Sequence, residues 1–162
     1  MAHFSVNKVI NTIINTLEAY DSGGGNYPFK DKCHNRFGSE IGDFDRLLRQ
    51  NEHIYIFYGN EDHEWLTNNM TTGRLYIEFW VIDQYVGVDE TKSDYQADNL
   101  RAYLLSGGWR YLGLDSEYAS MNPRPYRVES VRPVVLLDEK GNPTGYILTV
   151  FSGFIEFDSS MS

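Results

Sequence analysis

The chain is short of almost every pattern that announces chemistry. It has one cysteine, Cys33, in 162 residues, so an internal disulfide is excluded. It has no cluster of basic residues: 14 Lys and Arg are scattered against 23 Asp and Glu, for a net charge of −9. Phosphate contacts need concentrated positive charge, so a protein that reads DNA or RNA is not expected. No apolar run approaches the ~20 residues that cross a bilayer, and no membrane partner is expected. The opening stretch MAHFSVNKVINTII lacks a basic start ahead of an apolar segment and reads as amphipathic, which points to a cytosolic product. The sequon Asn69-Met70-Thr71 would matter only in a secreted protein.

Catalytic signatures are equally scarce. The histidines are His3, His34, His53 and His63, and no two have the i, i+4 spacing of a zinc-protease helix. Cys33-His34 offers two ligands or a nucleophile and a base, but neighbours in a strand point to opposite faces, and a partly buried Cys is the simpler reading. Glu61-Asp62-His63-Glu64 does not fit a calcium loop, which needs spaced ligands around a glycine. Asp43 and Asp45 sit i, i+2 apart, a spacing that separates them on a helix and does not make a catalytic pair. Gly23-Gly24-Gly25 follows a helical pattern and lacks the Lys-Ser/Thr of a phosphate loop, so it reads as a helix stop. No Gly-x-Ser-x-Gly elbow occurs. No catalytic residue, metal site or cofactor is expected.

What the chain does have is core. Hydrophobic residues make up 41% and aromatics 15%, including twelve Tyr and nine Phe. A chain of this length buries enough surface to fold as one domain without staples, and Tyr suits half-buried sheets and protein interfaces. Val6, Val9, Ile10, Ile13, Ile14 and Leu17 recur at helical spacing over residues 5–20, with Ser5 placed to cap the start. A short helical turn is expected over Asp43–Arg49. Ile54–Tyr58 reads as a strand, residues 60–73 as a polar loop, and Arg74–Val86 as a longer strand. A second helix is expected over about 93–106, opened by a Ser93/Gln96 capping box and closed by Gly107-Gly108. Trp109–Leu114 reads as a short strand and 115–125 as a loop. Tyr126–Asp138 and Thr144–Asp158 form a long hairpin, with Pro133 favouring an edge position for the outgoing strand or a bulge there, and Ser152-Gly153 a bend in the return. The expected fold class is α+β: a single domain, 1–162, with a mainly antiparallel twisted sheet, two helices packed on one face and a long C-terminal β-hairpin.

This order of elements resembles the tail terminator proteins of long-tailed bacteriophages, most nearly those of T5-like siphophages. The likeness is carried by Val6–Leu17, by Ile54–Tyr58 with Arg74–Val86, by the helix near Ser93–Leu105 and by the final strand Tyr146–Phe157. It covers most of the chain, and its motifs are apolar patterns, not chemical signatures. The resemblance implies a non-enzymatic virion protein at the head-proximal end of the tail. It implies a hexameric ring that caps the finished tail tube, stops its growth and joins the head-neck connector. The partners implied are copies of the chain, the tube protein and the connector, with DNA passing through the ring without specific binding. Segments 21–50 and 115–125 are additions with no assigned role.

Two other readings stay open. One is an acidic immunity or inhibitor protein that binds a basic toxin; the other is a small enzyme or ligand-binding domain using Cys33 and His34. For an assembly protein, the expected contact residues are Glu61, Asp62 and Trp65 of the acidic segment, with Arg132, Val134, Lys140 and Phe154 of the hairpin. Trp65 is the anchor type common at interfaces, and an aromatic-rich edge needs covering by another chain.

Overall fold

The computed structural model describes residues 5–36, 53–84, 95–106 and 111–160 (backbone only at 159 and 160). Among these residues five strands form one mixed sheet in the order β1-β2-β3-β5-β4. They are β1 (Cys33–Asn35), β2 (Ile54–Thr67), β3 (Met70–Gln84), β4 (Arg127–Leu137) and β5 (Pro143–Ser160). Only β1 and β2 run parallel; the other pairings are antiparallel. The α-helices among the described residues are α1 (Val6–Glu18), α2 (Gln96–Leu105) and a single turn, α3 (Leu114–Glu117). The α+β class and the C-terminal hairpin stand as expected.

Period-2 alternation sorts the sheet residues onto two faces. Ile54, Ile56, Leu75, Ile77, Phe79, Val81, Phe151, Ile155 and Phe157 face the helices. They pack against Val9, Ile10, Ile13 and Leu17 of α1 and Leu100, Tyr103 and Leu104 of α2. The opposite face carries a second apolar cluster, Tyr55, Phe57, Ile82, Leu136, Leu148 and Val150. At the start of α1 the Ser5 hydroxyl accepts from the Lys8 amide at 3.5 Å, and Asn35 of β1 reaches back to Asn7 and Asn11 at 2.7 and 2.9 Å.

Ser93, the expected cap of α2, lies outside the described residues, as do Asp43–Arg49, Trp109, Arg110 and Val86. The first turn of α2 is instead held from a distance. The buried Asp83 carboxylate, near the end of β3, accepts the Gln96 and Ala97 amides at 2.7 and 3.0 Å. Two of the orphan donors of a helix start are thereby satisfied, and the negative charge sits at the favourable end of the helix dipole.

Three expectations are corrected. Residues 60–73 are not a loop: β2 continues to Thr67, turns at Asn68-Asn69, and pairs back along β3. Their polarity reflects a hairpin whose residues are largely in water, not a missing ladder. Residues 111–114 are not a strand, because Leu112 and Gly113 take φ of 56° and 78°, which turn the chain into α3. The segment 115–125 holds α3 and a 3-10 turn over Ala119–Met121. Pro133 does lie on the edge strand β4, where it costs no interior ladder bond. The irregularity expected at Ser152-Gly153 falls opposite, as a register shift between Val128 and Ser130.

Candidate assembly surfaces

The β2–β3 hairpin runs out from the body and ends in an acidic, apolar tip. Glu61 is anchored there: its carboxylate accepts from the Tyr58 hydroxyl at 3.0 Å and lies 2.9 Å from His63 Nε2. Burial and the Glu61 carboxylate together push the Tyr58 hydroxyl upward in pKa. His63 lies against Gly73, where a β-carbon would come within 2.9 Å of its ring. Asp62 pairs in register with Arg74 and remains exposed, as does Glu64. Beyond them Trp65 is 59% exposed and Leu66 54%, with Met70 also exposed across the turn. The order of β2 puts two large apolar side chains directly after three carboxylates.

The second surface is the far end of β4. Among the described residues β4 has only β5 as a neighbour, and its outer row of backbone groups takes no part in their sheet ladder. Val135 and Leu137 are 56% and 55% exposed, and Val134 is exposed beside them. Arg132 is exposed opposite Val150, and Lys140 lies in the turn. The Asp138 carboxylate of that turn is occupied by the Lys140 and Asn142 amides at 2.9 and 2.8 Å. Glu129 and Glu139 are exposed in the same strand and turn.

Of the seven expected contact residues, Glu61, Asp62 and Trp65 fall together on the tip, and Arg132, Val134 and Lys140 on the β4 end. Phe154 does not present a surface. It is 5% exposed, with the Arg74 and Arg127 guanidinium carbons 4.9 and 6.0 Å from its ring and Tyr76 alongside at 5.5 Å. Alternation along a strand with both faces apolar gave no sign of which would be covered. The sequence reading also passed over Leu66, Met70, Val135 and Leu137. Their signal was present: paired apolar neighbours in a strand cannot both face one core.

The Cys33-His34 pair is separated by the same alternation. Cys33 points to the helix side, its thiol 3.9 Å from the Phe29 carbonyl. Burial, then the charge of Glu18, pushes that thiol up to about 12, which leaves no thiolate at neutral pH. His34 points to the other face, where its Nε2 lies 2.6 Å from Nδ1 of His53. A cleft of about 490 Å³ between the turn after α1 and α2 is lined by Tyr20, Asn26, Tyr27, Asn99 and Tyr103. Among the described residues lining it, Lys32 is the one charged side chain. No helix among the described residues is long and apolar enough to cross a membrane.

No protein-family model matches the chain, and no curated protein matches it significantly.

Proposed function

We propose that the chain is a non-enzymatic assembly protein that closes into a ring and caps a phage tail tube, as tail terminators do. The observation that carries this reading is the placement of the two exposed apolar patches. The β3–β5 ladder runs over fifteen paired positions, from Met70 with Ser160 to Gln84 with Tyr146, about 46 Å at a strand's rise per residue. The tip lies alongside the first end of this ladder, on the β2 side, where Trp65 pairs with Thr71 and Thr67 with Met70. The Val134–Leu137 patch lies at the other end, on the β4 side.

A tip that covers the β4 end of another copy either pairs reciprocally in a two-fold dimer or, repeated in one direction, builds a closed ring or an open filament, and the proposal takes the ring. Arg132 and Lys140 at the receiving end offer partners to Glu61, Asp62 and Glu64 of the tip, while Glu129 and Glu139 lie beside them. The acidity of the chain as a whole suits a ring through which DNA passes without sticking.

The test is co-expression with the tail-tube protein of the same genome, followed by electron microscopy. Tubes of defined length ending in a ring support the reading. Tubes that grow without limit in the presence of the folded chain exclude it.

A further inference from the structure

We propose that His34, Arg36 and His53, at the β1–β2 edge of the sheet face away from the helices, bind an oxyanion: a phosphate or a carboxylate. The three converge by register. His34 pairs with Tyr55 across the parallel β1–β2 ladder, and His53 precedes Tyr55 by two residues, on the same face. Arg36 follows His34 by two, and its guanidinium carbon lies 5.8 Å from the Tyr55 ring centroid. The His34 ring stacks on Tyr55 at 5.0 Å with planes 21° apart, which fixes its orientation.

The reason to place an anion here is Arg36. Its Nε is buried and has no hydrogen-bond partner, and among the described residues no carboxylate forms an ion pair with the guanidinium. A buried donor left unpaired costs free energy that an anionic acceptor returns, and a guanidinium matches the planar fork of such a group. The histidines add to this. A 2.6 Å contact between two ring nitrogens holds one shared proton, and an approaching anion favours a second on the pair. Burial, His53 and Arg36 together keep His34 below its ordinary pKa without such a ligand.

Among the described residues the neighbouring charges do not compete. Cys33 and Asn35 face the helices. On β3 the Glu78 carboxylate is taken by the Trp80 indole N–H at 2.8 Å. A metal ion is the weaker occupant: among the described residues the cluster offers two imidazoles, no carboxylate, and a fixed positive charge.

The inference does not depend on ring formation and is tested on the isolated chain. Imidazole nitrogen resonances of His34 and His53 are followed by NMR while inorganic phosphate, acetate or chloride is added at matched ionic strength. Saturable shifts with phosphate alone assign a phosphate site, and shifts with acetate as well assign a general oxyanion site. Arg36→Gln should weaken binding about tenfold or more, while its unfolding midpoint stays level or rises, because an unpaired donor is removed. Shifts no larger than those from chloride, or an Arg36→Gln variant that binds like the parent, would overturn it.

Discussion

A β-carbon at position 153 would lie 2.2 Å from the Arg127 carbonyl oxygen and 2.7 Å from the Tyr126 ring. Neither neighbour is free to yield. Arg127 is backbone in β4, and the buried Tyr126 hydroxyl donates to the Ile77 carbonyl at 2.7 Å while its ring meets Phe79 edge to face. Gly153→Ala should therefore destabilise the fold by about 2–4 kcal/mol, read as a lowered denaturant midpoint. At the same scale, Asp158 accepts from Arg124, Asn122 and Thr72, and the hydrogen bond from Arg124 most of all holds its carboxyl below the ordinary range. A depressed carboxyl stabilises the fold above its unfolded pKa, and that contribution disappears as pH falls through the folded value. The unfolding midpoint should fall as pH drops below about 4, and Asp158→Asn should flatten that part of the curve. Cys33, held protonated by burial, should resist alkylation in the native state and react once unfolded; rapid native labelling would reopen the thiol chemistry that its neighbour His34 suggested. Residue types made these sites nameable in advance, but not their partners. Gly153 looked like a bend because the sequence does not show Tyr126 lying across it.

At the scale of elements, apolar periodicity was the reliable signal and polarity the misleading one. The stripe from Val6 to Leu17 defined α1 because one face had to be buried. The segment 60–73 looked like a loop because a hairpin in water has no buried face to enforce alternation. The Asn68-Asn69 turn, flanked by Thr67 and Met70-Thr71-Thr72, was the available sign that pairing continued. Long-range capping was illegible: nothing local joins Asp83 to the amides of Gln96 and Ala97. Asp83→Ala should cost about 1–2 kcal/mol, measured by chemical denaturation, and should raise amide exchange first in α2. The β2–β3 tip is expected to behave oppositely. Trp65 and Leu66 add little to the folded monomer, so Trp65→Glu should leave its stability within about 0.5 kcal/mol yet abolish association between copies. A loss of stability as large as that of Gly153→Ala would mean that the tip belongs to the core.

For the whole molecule, the element order expressed the α+β class before any coordinate, because each element carried its own apolar pattern. The arrangement of the contact surfaces did not follow from that order. It required the ladder register, which sends the tip and the β4 end to opposite limits of the sheet. That separation sets the tip of one copy against the β4 end of another, the contact on which the proposed ring relies. The most direct measurement is the mass of the purified chain by light scattering, alone and with tail-tube protein of the same genome. A closed ring predicts one discrete species at six times the chain's 18.7 kDa, with no growth beyond it and none formed by Trp65→Glu. A chain that remains monomeric in both settings, or forms a dimer indifferent to Trp65→Glu, would contradict it.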